Sequence, residues 1–189
     1  MGNFIEIRWH GRGGQGAKSA SQIIAESLFA LGKFAQSFPE YGAERAGAPM
    51  RAFNRIDEKP ITLYAPVENP DIVIVIDPTL LSAIDVSDGL KKDGILLINS
   101  KDDPKKIKTK FDFKDFKVYT VPASTIAVEE IGRDMPNTPM LGALSKISSI
   151  IKLKDLEEKF KEHFTEKLGE LMVGKNIKAM ARGFKEVKE

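Results

Sequence analysis

The chain has 189 residues, 29 of them Lys or Arg and 27 Asp or Glu, with a formal net charge of +2 and no cysteine. So balanced a charge offers no electrostatic footprint for nucleic acid or an anionic membrane. Without thiols the chain can form no disulfide, thiolate zinc site, cysteine nucleophile or protein-ligated iron–sulfur cluster. The two histidines, His10 and His163, stand too far apart in sequence to suggest a metal site. The length suits one α/β domain over 1–189, divided into an α/β core at 1–150 and a helical C-terminal segment at 151–189. No apolar run reaches membrane-spanning length and no signal-peptide pattern opens the chain, so a cytoplasmic protein is expected.

Phe4, Ile5, Ile7 and Trp9 make a short apolar run of the kind that builds a buried strand. It breaks into Gly11, Gly13, Gly14 and Gly16, and from Ala17 to Leu31 the period becomes helical. Strand, glycine turn and helix in succession form the front of a βαβ unit, where backbone N–H groups and a helix N-terminus hold anions. Gly11, Gly13 and Gly16 fit G-x-G-x-x-G. The acidic residue that should close the second strand of a dinucleotide fold is missing: Lys33–Phe38 ends in Gln36, Ser37 and Phe38, and Glu40 follows Pro39 as a loop residue. The pattern points to an anion site rather than to NAD. The alternatives are a stand-alone NAD(P)-type oxidoreductase or nucleotide-sensing domain, and glycines that only pack helix against strand.

Residues 38–49 carry no periodicity and gather Glu40, Tyr41, Glu44 and Arg45 between glycines and prolines, which marks a functional loop at the same sheet edge. Met50–Ile56 alternates as a strand and Ile61–Tyr64 reads as its return, giving an inserted β-hairpin. Arg51 and Arg55 share one face of it, either solvated or docking. Asp71–Pro78 is the clearest buried strand, with Asp77 placed to cap a helix over Thr79–Ile84. Gly94–Ser100 is the next strand and ends in Asn99 and Ser100. Lys101–Lys117 reads as a solvated connection, Val118–Pro122 as a strand and Ala123–Ile131 as a helix. Thr138-Pro139 resembles an N-cap followed by proline at the first helical position, so Asn137 and Thr138 either meet a ligand or only cap. Helices follow from Leu153, with a break expected at Gly174 and His163 at the surface. The fold class is therefore α/β: a Rossmann-like, doubly wound, mostly parallel sheet with an inserted hairpin and C-terminal helices.

His10-Gly-Arg-Gly-Gly-Gln-Gly16, Phe38-Pro-Glu-Tyr-Gly-Ala-Glu-Arg45 with Gly47-Ala-Pro49, and Pro136-Asn-Thr with Leu141-Gly-Ala143 together resemble the gamma subunit of the 2-oxoacid:ferredoxin oxidoreductases, most closely the pyruvate type. The likeness runs over nearly the whole chain. It implies a complex that decarboxylates pyruvate oxidatively to acetyl-CoA and reduces ferredoxin. Thiamine diphosphate, Mg and [4Fe–4S] clusters would lie on alpha, beta and delta-type partner subunits. Coenzyme A would be a co-substrate, with no cofactor held firmly by this chain, no metal, no catalytic residue, and no nucleic-acid or membrane partner. On that footing Gly11, Gly13, Gly14, Gln15 and Gly16 form an anion cradle with Asn137 and Thr138, helped by Arg12 and Lys18. His10 would donate to a phosphate or be held by backbone. Glu40, Tyr41, Glu44 and Arg45 would face a partner subunit or the active-site mouth.

Overall fold

In the computed structural model, residues 4–40 and 47–189 are described. Six strands form one sheet in the order β2-β3-β1-β4-β5-β6: β1 Ile5–Arg12, β2 Phe34–Glu40, β3 Pro49–Asp57, β4 Ile72–Val75, β5 Ile95–Asn99 and β6 Lys117–Val121. β1, β4, β5 and β6 pair in parallel, whereas β3 runs antiparallel to both β1 and β2. The continuous apolar runs of β4 and β5 suit strands that helices and turns cover on both sides.

Alternation along the strands sorts the core into two layers. Ile7, Trp9, Ile72, Ile74 and Leu97 face a layer with helices α1 Ala17–Ala30, α3 Ala123–Ile131, α4 Asn137–Ile147, α5 Leu153–Leu168 and α6 Glu170–Glu186. Val73, Val75, Leu96, Ile98 and Val118 face the other, where Leu80 and Leu81 of a 3₁₀ turn (Pro78–Ser82) join Val86, Leu90 and Ile107 of α2 Pro104–Lys110. The second layer thus lies over β4–β6. Its counterpart over β1–β3 carries charge instead: Arg8 and His10 on β1, Arg51 and Arg55 on β3.

Several expectations are corrected. Ile61–Tyr64 forms no strand; β3 pairs with β2 and β1. Its alternation is satisfied by any neighbour, so pattern alone could not select one. Arg55 is buried rather than solvated or docking. It binds Glu6 at 2.7 Å and donates to the carbonyls of Leu63 and Ala65, each at 3.1 Å, which holds that returning segment against the sheet. Glu40 ends β2 rather than lying in a loop. Within the supposed connection Lys101–Lys117 lies α2, capped by the Asp103 carboxylate at Lys105 N with Pro104 at its first position, a start signal the sequence did carry. The α4 helix begins at Asn137 after Pro136, without a Thr138 cap, and ends at Ile147. The last two helices separate at Gly169 (φ 76°), while Gly174 lies inside α6. His163 is half-buried and pairs with Glu26 at 2.9 Å, joining α5 to α1. The final residues return to the sheet: Lys188 and Thr120 of β6 exchange backbone hydrogen bonds of 2.8 and 3.1 Å.

Candidate functional site: the glycine turn and its supports

The glycine turn joins the carboxyl end of β1 to the start of α1. Gly14 and Gly16 have φ values of 93° and 83°, in the left-handed region that a side chain disfavours. A Cβ on Gly16 would also lie 2.5 Å from the Asn137 amide nitrogen, so the glycine lets α4 approach the turn. Gly11 belongs to β1, and Gly13 donates to the Ala48 carbonyl at 3.2 Å. Among the described residues the N–H groups of Gly14 and Gly16 meet no backbone acceptor. They join the first-turn N–H groups of α1, which no intrahelical bond satisfies, and the positive end of the helix dipole. These are the chemical requirements of an anion cradle.

The side chains around the turn do a different job. Gln15 Oε1 accepts the Arg12 N–H at 2.7 Å, and its amide donates to Asp77 Oδ2 at 2.8 Å. Arg12 also reaches Asp77 Oδ2, at 3.1 Å, and donates to the Gly47 carbonyl and the Thr79 hydroxyl. Asp77, just past β4, caps the 3₁₀ turn through Thr79 N at 2.9 Å. One carboxylate therefore straps the glycine turn to the end of the neighbouring strand. Burial opposes its charge, but hydrogen bonds from Thr79 and Gln15 and the Arg12 guanidinium prevail and hold its pKa below the usual carboxylate range. Gln15 and Arg12, expected among the anion ligands, are thus supports of the backbone. Sequence reasoning missed this role of Asp77, since only its capping position was visible.

Other candidates fall in distinct places. Asn137 borders the turn at Gly16. Thr138 is buried, its hydroxyl donating to Asn176 Oδ1 at 3.2 Å, so it faces α6. Lys18 is exposed on α1. Asn99 is buried between strands, donating to Ile76 O and accepting from Ser124 N. Glu40 accepts from Arg51 Nη2 at 2.9 Å. Tyr41, Glu44 and Arg45 lie outside the described residues. Among the described residues, no group of three or more His, Asp or Glu is placed to hold a metal ion, and no helix is long and apolar enough to cross a membrane.

The geometry separates this turn from a dinucleotide site. In that fold the second strand lies beside the first and presents its acid to the ribose. Here β3 intervenes between β1 and β2, and Glu40 is engaged by Arg51. What remains is an α/β fold with an anion-competent turn and, among the described residues, no base–nucleophile pair beside it.

Comparison with known proteins identifies the family. Residues 6–186 match the family described as pyruvate ferredoxin/flavodoxin oxidoreductase. The chain is 51% identical over 185 residues to the pyruvate synthase subunit PorC of Thermotoga maritima, covering 98% of this chain and 95% of that protein. It is 45% identical to the pyruvate/ketoisovalerate oxidoreductases common subunit gamma of Pyrococcus abyssi, covering 97% of each. A crystal structure of the Thermotoga maritima pyruvate oxidoreductase subunit superposes with a TM-score of 0.86 at 49% identity, over 98% of this chain and 97% of that one. The chain belongs to the pyruvate ferredoxin/flavodoxin oxidoreductase family. Within that family it is of the gamma type.

Proposed function

We propose that the glycine turn receives an anionic end of coenzyme A, in a chain that is a subunit of a pyruvate:ferredoxin oxidoreductase. The observation that carries the reading is the set of N–H groups at Gly14, Gly16 and the start of α1 that meet no acceptor among the described residues, held by the Asp77 strap and lacking an adjacent ribose-reading acid. Coenzyme A offers phosphates but no nicotinamide ribose, which suits this arrangement. Thiamine diphosphate, Mg and the [4Fe–4S] clusters belong to alpha, beta and delta-type partner subunits and supply the decarboxylation and one-electron transfer to ferredoxin. This chain positions an anionic co-substrate and supports assembly. Glu40, with Tyr41, Glu44 and Arg45, faces a partner or the active-site mouth. Residues 1–189 act as one cytoplasmic unit, with 151–189 an integral layer of it.

The subunit does not choose the 2-oxoacid. The Pyrococcus abyssi relative is named as common to pyruvate and ketoisovalerate oxidoreductases, and a part shared by two enzymes cannot set the difference between their substrates. The test is a tagged chain purified anaerobically in its native particle, assayed for pyruvate-dependent electron transfer. Gly13→Leu places bulk at the turn without a left-handed φ to violate. It should raise the KM for coenzyme A about tenfold, a loss of about 1.4 kcal/mol, and leave the KM for pyruvate unchanged. Equal KM values for coenzyme A in both particles would remove coenzyme A from this turn; a lone, iron-free chain would remove the subunit reading itself.

A further inference from the structure

On the sheet face opposite α1, a cleft of about 310 Å³ opens between β1, β3 and the segment after β4. Its walls set Arg8, His10 and Arg51 against three carboxylates, Glu40, Asp85 and Asp88, and no glycine of the turn lines it. Both Arg8 and His10 are only 2% exposed. The Arg8 guanidinium is anchored through two of its nitrogens: Nε donates to His10 Nε2 at 3.0 Å, and Nη2 to the carbonyls of Val86, at 3.1 Å, and Asp88.

That commitment fixes the histidine tautomer. With Nε2 accepting, a neutral ring must carry its proton on Nδ1. Burial, reinforced by Arg8 and Arg51, lowers the His10 pKa to about 3, so the ring is neutral at physiological pH. The Nδ1–H is therefore a donor, and Nδ1 is buried without a partner among the described residues. An orphaned buried donor is a costly feature that a native fold keeps only for a reason. The charge acting on it is chiefly that of the two arginines, with Asp85 opposing more weakly. Asp85 already accepts from the Ser87 N–H and hydroxyl through Oδ1. Among the described residues Arg51, half-exposed, pairs with Glu40 through both Nε and Nη2, and an incoming oxyanion would share that guanidinium with the Glu40 carboxylate. The volume is at the small end of ligand pockets.

We propose that this cleft is a second anion site, in which the His10 Nδ1–H and Arg51 take one carboxylate or phosphate oxyanion of a small molecule. It borders the glycine turn, since its Met50 and Pro49 pair with Gly11 and Arg12, but it uses different donors and does not depend on the coenzyme A reading. The two histidines make the test direct. In the full chain labelled with ¹⁵N-histidine, long-range ¹H–¹⁵N spectra resolve the rings of His10 and His163 separately. Inorganic phosphate and acetate should each shift the His10 Nδ1 signal saturably at constant ionic strength, while His163 stays put and acetamide does nothing. Arg51→Met should weaken the response at least about tenfold and Arg51→Lys less, with Gly13→Leu leaving it intact.

Several results would overturn the site. One is a His10 Nδ1 already hydrogen-bonded in the ligand-free chain, or its proton found on Nε2. Others are a shift produced equally by chloride or only by acetamide, and a response that Gly13→Leu abolishes. A response indifferent to both Arg51 variants would also defeat it.

Discussion

A single carboxylate, Asp77, makes the anion-competent turn possible without touching an anion itself. It accepts hydrogen bonds from the Gln15 amide, the Arg12 guanidinium and Thr79. Its depressed pKa carries a sign for acid stability. A carboxyl ionised more readily when folded than when unfolded contributes stability that is present above the unfolded value, about 3.9. That contribution is lost as pH falls through the lower folded value. Asp77→Asn should lower the unfolding free energy by about 1–2 kcal/mol at neutral pH, after discounting for the partial exposure of Arg12. The gap between wild type and variant should close in acid. Urea titrations at pH 7 and at successively lower pH measure both; a gap that stays constant as pH falls well below the usual carboxylate range would assign the loss to shape rather than charge. Asp77 was legible as a cap because capping is local. Its strap across 62 residues to Gln15 was not, because no local pattern encodes a side-chain partner in another element.

Among the elements, the α4–α6 crossing is the most demanding. A Cβ on Gly142 would lie 1.8 Å from the Met180 carbonyl oxygen, and one on Gly183 2.0 Å from that of Pro139. Both obstacles are backbone, so neither can turn aside. Gly174, in contrast, is exposed inside α6 with open space where its Cβ would be. The two glycines of one helix should respond oppositely to the same change. Gly183→Ala should destabilise by about 1–3 kcal/mol through overpacking, and Gly174→Ala should stabilise by about 0.5–1 kcal/mol through helix propensity. Paired thermal melts of the two variants decide it, and stabilisation by Gly183→Ala would mean that the helices cross less closely. The sequence offered Gly174 as the break because isolated glycines end helices. Gly169, five residues earlier, does so with φ 76°. Which glycine breaks and which packs depends on what lies across the helix, and single-chain periodicity cannot see that.

For the whole molecule, the order of strands matters more than their number. The β1–turn–α1 unit and the buried runs of β4 and β5 were readable because each is set by neighbours in sequence. The insertion of β3 between β1 and β2 was not, yet it sets which side chains lie side by side at this edge. It moves the Glu40 end of β2 away from the glycine turn and brings Arg51 beside His10. The same insertion leaves a charged sheet face where a doubly wound fold would have apolar cover. The resemblance carried by the three motifs identifies the family without this geometry, but it could not show the bonds by which Gln15 and Arg12 brace the turn.

The backbone exchange between Thr120 and Lys188 has a consequence for solubility. β6 is the last strand of the sheet, and an open strand edge recruits strands from other molecules. Lys188 satisfies the outward N–H and carbonyl of Thr120, placing a lysine along that margin. The segment at Lys188 thus acts as a stopper against self-templating. A form ending at Glu186 should keep its far-ultraviolet circular dichroism yet scatter light increasingly with concentration; a truncated form as monodisperse as the full chain would mean that the margin protects itself.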